Sequence, residues 1–318
     1  MRFAVMAAGG LGGYFGALLA KNGHDVAFVA RGAPLRAMRE NGLMIRSVHG
    51  DFAIQPALVT DDPATVGQVD WILFAVKTYD TDAAARAIRP MVGSDTAAVT
   101  FQNGVEAHEQ IGAIIGPEHV LIAPTQIVSN VVAPGVIEQR SPFRRMTIGE
   151  AHSGLTPRVE RLAAAFKDLG IDAGAAADIL KPIWHKFIFI ASIAGLTSLA
   201  RTAPYGLLQL PEARATLRAA MEEVHDVGRA LGAEMDADIV ERQYQFCLKL
   251  GPGQKASMQL DLEQGKRLEI DAMSGAVVRL GSRVGVATPV HRTIYAGLKM
   301  EDERARLATS DAQGSPTM

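Results

Sequence analysis

The chain has 318 residues, room for two domains at roughly 100–200 residues each, and 48% of the residues are hydrophobic, enough to fill two cores. Lys plus Arg number 32 and Asp plus Glu 34, with both signs interspersed, so nothing points to nucleic acid or an anionic membrane as a partner. The single cysteine, Cys247, excludes an internal disulfide and suits the cytoplasm; within the apolar stretch Tyr244–Leu250 it reads as a buried small residue, not a nucleophile.

Phe3–Ala7 is a short apolar run that ends in glycines, and it reads as a buried strand. Arg2 ahead of that run imitates a signal peptide, but Gly9, Gly10, Gly12, Gly13 and Gly16 break it too soon. Leu11–Lys21 carries apolar residues at helical spacing and stops at Asn22-Gly23; Asp25–Ala30 follows as a second strand. Pro34–Asn41 reads as a helix, and Leu43–Ser47 with Phe52–Gln55 as a hairpin around His49-Gly50. Then come a strand at Trp71–Val76, a helix over Asp82–Met91, a strand at Ala97–Phe101 and a helix from about Val105. Strands continue through Val120–Val132, Gly135–Glu138 and Met146–Gly149, before a helix over Pro157–Leu169 and a last strand at Ile171–Ala175. Such alternation predicts an α/β Rossmann-type domain, a mostly parallel sheet with helices on both faces.

Beyond Ala175 only helical patterns remain: Asp178–Ala200, Pro211–Leu231, Ala237–Leu250, Met258–Glu263 and Glu269–Val284. The predicted boundary therefore lies near residue 177, with a Rossmann domain over 1–177 and an all-α domain over 178–318. Ala308–Met318 is small and polar and reads as a disordered tail. Phe187–Ala200 is too short for a membrane span and reads as a core helix.

The turn Ala7-Ala8-Gly9-Gly10-Leu11-Gly12 sits between the first strand and its helix, where a dinucleotide-binding chain carries Gly-x-Gly-x-x-Gly. Gly9 fills the position at which a side chain would block a pyrophosphate, and Gly12 the position at which helix and strand pack closely. Ala7 replaces the first glycine, a departure, because alanine tolerates fewer backbone angles. The free N–H groups of the helix N-terminus suit an anion there. At the end of the second strand an NAD enzyme places an acidic residue for the ribose 2′-hydroxyl; here the residue is Arg31, which suits the 2′-phosphate of NADP(H).

Ala4–Gly32, Val76-Lys77, Gln102-Asn103-Gly104, Trp184–Lys186 and Ser257–Asp271, in this order, resemble the ketopantoate reductase (2-dehydropantoate 2-reductase) family. The resemblance implies an N-terminal Rossmann domain, a helical C-terminal domain of the 6-phosphogluconate dehydrogenase C-terminal-like type, and an active site between them. It implies that Lys186 is the catalytic lysine and Glu269 its acidic partner. Ser257 matches a serine that contacts the substrate, Asn103 an asparagine near the nicotinamide and the reacting carbon, and Lys77 a lysine at the adenine end. The family's substrate-holding asparagines are absent: Ile190, Ala194 and Gln254 stand in their places.

Reducing a ketone needs a hydride donor, a polarised carbonyl and a proton. Between Trp184 and Phe187, Lys186 sits where burial lowers an ammonium pKa towards the working range. Glu269, flanked by Leu268 and Ile270, can orient it, or simply start a helix. Asp261 and Asp271 read as solvated or structural. His185 neighbours Lys186 in sequence but points about 100° round the helix. Arg201 suits either a substrate carboxylate or the end of its helix. The eight histidines are scattered and give no metal constellation. The leading expectation is NADPH-dependent reduction of a small-molecule 2-oxo acid, 2-dehydropantoate to pantoate in pantothenate biosynthesis. Two alternatives stand beside it: a reductase of another oxo acid on the same scaffold, and an NADP(H)-binding regulatory protein without turnover. The helical domain can pair with a copy of itself, and a monomer fits equally well.

Overall fold

The computed structural model describes residues 1–152 and 154–314, and side chains up to residue 308 apart from Ser153. The chain divides into two compact units, one of residues 1–102 and 107–179, the other of residues 103–106 and 180–318.

The first unit begins with β1 (Arg2–Met6), α1 (Gly10–Lys21), β2 (Asp25–Val29) and α2 (Gly32–Asn41). Three short strands follow, β3 (Leu43–Ser47), β4 (Phe52–Ile54) and β5 (Leu58–Thr60). Then come β6 (Trp71–Phe74), α3 (Thr81–Ala87), β7 (Ala97–Thr100), α4 (Ala107–Ile115) and β8 (Val120–Ile122). The unit closes with β9 (Thr125–Gln126), β10 (Ser129–Ala133), β11 (Val136–Gln139), β12 (Arg145–Glu150), α5 (Pro157–Asp168) and β13 (Asp172–Ala175).

The main sheet runs β13-β12-β8-β7-β6-β1-β2-β5, with β9 beside β12. From β5 to β8 every pairing is parallel, and that stretch has the doubly wound order 3-2-1-4-5-6. The order reverses between β1 and β6, so the ligand crevice of the fold opens at their carboxyl ends. One core cluster, with Phe15, Phe101 and Phe166 in mutual ring contact, covers one face; a second, with Ile72, Ile88 and Ile111, covers the other.

A separate sheet, β10-β11-β3-β4, packs on the outer side of α1. The expected hairpin is there, β3 and β4 pairing antiparallel, but it belongs to this second layer. Strand β5 was not anticipated: three residues behind Pro56 are too few to show a period. The strands expected through Val120–Val132 are three, separated at Pro124 and at Val128, because β8 and β10 serve different sheets.

The second unit holds α6 (Leu180–Leu199), α7 (Pro204–Leu207), α8 (Pro211–Ala230), α9 (Ile239–Leu248), α10 (Ser257–Glu263), α11 (Ser274–Val284) and α12 (Pro289–Gly314). Helix α6 packs against α8, α9, α10, α11 and α12. It is apolar all round because neighbours surround it; it is long and apolar enough to cross a membrane, yet 67% of its apolar window is buried within the protein. Gly228 on α8 admits Trp184 of α6, whose ring lies 2.7 Å from where a Cβ would be.

Two expectations need correction here. The helix predicted from Glu269 starts at Ser274, since residues 270–273 form turns. Ala308–Gly314, expected as a disordered tail, continue α12, which no proline interrupts between Pro289 and Pro316; residues 315–318 lie outside the described ones.

Glu223 of α8 caps α12, accepting the N–H groups of Val290 and His291 at 2.7 and 2.9 Å. The fully buried His291 donates from Nε2 to the Ala220 carbonyl and accepts at Nδ1 from the Ser274 hydroxyl, both at 3.1 Å. A carbonyl only accepts, so Nε2 carries a hydrogen, and burial pushes the pKa down to about 4, which keeps the ring neutral at pH 7. The unfolded chain protonates near 6.5. Stability from the neutral ring is therefore full above about pH 6.5 and is lost as pH falls towards 4, by roughly 3 kcal/mol at about 1.36 kcal/mol per unit. Denaturant midpoints between pH 7 and 4 should show this loss, and His291→Gln should flatten it; an equally steep profile in the variant would assign the loss elsewhere.

Candidate active site

Strand register lines up the residues that the sequence singles out in the first unit. Met6 is level with Val29 on β2 and Phe74 on β6, and Phe74 is level with Thr100 on β7. The next residues, Ala7, Ala30, Ala75 and Phe101, therefore end the four strands together. Beyond them lie the glycine turn, Arg31, Lys77 and Gln102. Gln102 ties two of these ends, its amide donating to the Val76 carbonyl at 3.1 Å and to the Thr81 hydroxyl at 2.8 Å.

Gly9 precedes α1 in an extended conformation, and nothing lies within 4 Å of where a Cβ would stand. The N–H groups of Gly10, Leu11 and Gly12 have no acceptor within the helix, and its first turn carries no acidic residue. Gly12 is packed: its Cβ would stand 2.5 Å from the Ala7 carbonyl oxygen and 3.1 Å from Val5 Cγ1. Gly9 is thus uncovered, and Gly12 is wedged between helix and strand. The open surface at Gly9 is a cradle that fits a dinucleotide's pyrophosphate.

Gly10 has a neighbour that sequence reasoning missed. The Ser129 hydroxyl donates to the Gly10 carbonyl at 2.7 Å, and the backbone of Ser129 fills the space of a Gly10 side chain. Ser129 lies 119 residues downstream, so no local pattern could reveal it. Ala7 and Ala8 are half-buried. Ala7 holds φ at +74°, a left-handed conformation; the turn keeps the shape a glycine would give it and bears the strain. Arg31 is exposed at the N-cap of α2 with an extended backbone. Lys77 is half-buried, just past β6.

Asn103 belongs to the second unit although it follows Gln102 directly. Gly104, at φ +97°, lies against the Ala272 carbonyl, 2.9 Å from its Cβ position. Glu106 pairs with Arg279 at 2.6 Å, and Arg279 also donates to the Asp271 carbonyl. This segment is thus fastened to the turn that carries Glu269.

Lys186 stands on the second turn of α6, flanked by buried Trp184 and Phe187, and keeps part of its surface open. Burial pushes its ammonium pKa down to about 8, and the charge of Glu269 opposes that fall. Glu269 is itself buried, between Leu268 and Ile270. Ser257 is exposed as the first residue of α10, which packs on α6.

Several residues settle into structural places. Arg201 takes a left-handed backbone (φ +51°) just past α6, where Thr202 N–H reaches back to the Thr197 carbonyl. It pairs with Glu301 at 3.2 Å and stands 15 residues beyond Lys186, about 22 Å along the helix axis; it ends the helix. His185 Nε2 accepts the Asp236 N–H at 3.4 Å. Asp271 accepts from the Tyr295 hydroxyl and Lys299. Burial pushes the Cys247 thiol up to about 12, which fits an inert side chain. Among the described residues no group of three potential ligands could hold a metal.

The family model described as "Ketopantoate reductase PanE/ApbA" matches residues 3–153, and its C-terminal counterpart residues 178–302. Similar chains include an uncharacterized oxidoreductase, YkpB, of Bacillus subtilis, 31% identical over 94% of this chain and 98% of its own. A 2-dehydropantoate 2-reductase of Mesorhizobium japonicum is 32% identical, with 93% and 96% covered. Among solved structures, a 2-dehydropantoate 2-reductase from Geobacter metallireducens superposes with a TM-score of 0.89 at 30% identity, over 94% of this chain and 99% of the other.

The strain at Ala7 is testable. A left-handed alanine costs about 1–2 kcal/mol, whereas glycine gives back roughly 0.5–1 kcal/mol in chain entropy. Ala7→Gly should therefore stabilise the protein by up to about 1 kcal/mol, read as a higher denaturant midpoint at unchanged slope. A lower midpoint would contradict a strained turn.

Proposed function

Because the chain belongs to the ketopantoate reductase family, whose members are oxidoreductases that use a nicotinamide dinucleotide, we propose that it reduces a 2-oxo acid to the 2-hydroxy acid with NADPH. The observation that carries this reading is Lys186, an ammonium brought to about 8 by burial and opposed in that by Glu269. A sensor without turnover has no use for such a pair.

NADPH, when bound, supplies the hydride that reaches the carbonyl carbon. The free N–H groups at Gly10–Gly12 hold the pyrophosphate over Gly9, with Ala7, Ala8 and Leu11 shaping the turn. Arg31, exposed at its strand end, takes the 2′-phosphate, and Lys77 adds charge at the adenine side. Asn103 orients the nicotinamide and the reacting carbon, and Ser257 hydrogen-bonds the substrate. Lys186 would polarise the carbonyl oxygen and give it a proton, and the resulting amine would regain a proton from water. Glu269 favours the ammonium and so keeps the donor loaded. The reading places the enzyme in the cytoplasm, acting on a small molecule and not on nucleic acid or membrane, as a monomer or a homodimer. Pantoate formation is the reaction the family name suggests, while Ile190 beside the lysine favours another oxo acid.

Only the protonated lysine donates, so kcat/KM for reduction should be level below about pH 8 and fall above it as the ammonium is lost. Lys186→Ala should lower turnover by about 10²–10⁴-fold and leave NADPH affinity nearly intact. Ordinary turnover in that variant would remove Lys186 as donor. Arg31→Ala should weaken NADPH by about tenfold to a hundredfold while NADH changes little, as measured by fluorescence titration; equal losses would remove the 2′-phosphate assignment.

A further inference from the structure

Helix α6 is open along only part of its length beside the lysine. Lys186, Phe189 and Ile190 are partly exposed, whereas Ala191 through Ser198 are all buried. Positions 186, 189 and 190 share one helix face at spacings of three and four. Helical side chains tilt towards the N-terminus, so Phe189 and Ile190 lean back over the turn that bears Lys186. From α9, Phe246 meets the edge of Phe189 with ring centroids 5.1 Å apart, and 47% of Phe246 is exposed.

The face of α6 that bears Lys186 thus also bears an apolar patch, Phe189 and Ile190 with Phe246 against Phe189. None of these side chains can donate or accept a conventional hydrogen bond. Gln254, in the loop after α9, accepts the Gly251 N–H through its own amide oxygen at 2.8 Å, closing a local turn. A substrate hydroxyl laid on this patch would leave water and find no partner, whereas a hydrocarbon group would cover surface that water now wets.

We infer that the substrate's side chain is apolar: the enzyme takes 2-oxo acids bearing a branched or aromatic hydrocarbon group, which rests on Phe189, Ile190 and Phe246 while Lys186 meets the carbonyl. This rests on the reductase reading above. It deepens that reading by naming the substrate class.

A pair of substrates that differ by one hydroxyl tests it. With NADPH, kcat/KM for 3,3-dimethyl-2-oxobutanoate and for phenylglyoxylate should exceed that for the 4-hydroxy derivative of the former, 2-dehydropantoate, by about tenfold or more. Ile190→Asn should narrow this gap by about tenfold. Binding provides a readout without turnover: N-ethyloxamate, which is not reduced, should bind about tenfold more tightly than N-(2-hydroxyethyl)oxamate by calorimetry. A hydroxylated ligand that does as well as its hydrocarbon counterpart, in either measurement, overturns the inference. If no oxo acid is reduced, the reductase reading falls, and the oxamate pair alone decides the character of the patch.

Discussion

Helix α1 is packed on two sides, and that is possible only because it has so few side chains where it touches its neighbours. Gly12 and Gly16 let Val5 of β1 and Phe28 of β2 reach the helix backbone. Gly13 does the same for Ile137 of the small sheet, and Gly10 for Ser129. Each glycine inside a helix costs roughly 0.5–1 kcal/mol, so the four together cost about 2–4 kcal/mol, which burial of both sheets on α1 must offset. In return the helix is clamped at a fixed height above the ends of β1 and β6. Its unpaired N–H groups point where the strand order reverses, and Gly9 keeps that side clear. The same clamp explains why Ala7 tolerates a left-handed backbone: the turn is held from both ends, and its strain is small beside the packing that holds it.

The second unit depends on a different constraint, the cost of placing an ammonium in apolar surroundings. Lys186 bears that cost as a lowered pKa, and Glu269 limits it. Glu269 is held not by a helix but by the turn before α11. That turn carries the Ala272 carbonyl against Gly104 and shares Arg279 with Glu106. Three stretches far apart in sequence, residues 103–106, 186 and 269–273, are thereby joined within one body. The acidic partner is positioned by long-range backbone packing and not by a local helical signal.

This difference sets what could be read from the sequence. The β1–α1 turn, the strand ends and the apolar helix α6 are local patterns, and period and glycine spacing expose them directly. Arg31 followed from the end of the second strand, whereas Lys77 was identified by resemblance. By contrast β5 is too short to show a period, and the contact between Ser129 and Gly10 spans most of the first unit. The second sheet escaped because hairpin spacing specifies that two strands pair, not which layer they join. Glu269 was identified by resemblance, but its apolar flanks suggested a helix because a buried turn and a helix start share the same sequence signs. Arg201 was left between two roles, and the left-handed backbone that ends α6 there is a tertiary outcome no composition encodes.

Helix α6 unites these threads, because its sequence satisfies two opposed demands. Long and apolar, it resembles a membrane span, and its burial among the other helices of the unit explains that composition. Its first half is less enclosed than its second: Lys186, Phe189 and Ile190 keep exposed surface there, whereas Ala191 through Ser198 are buried. The charge and the apolar patch thus share the less enclosed part of the helix. The apolar side chains that share this face offer a bound molecule no conventional hydrogen bond. A molecule whose carbonyl oxygen meets Lys186 lays its remaining groups on those side chains, and they are sorted by how well they tolerate the loss of water.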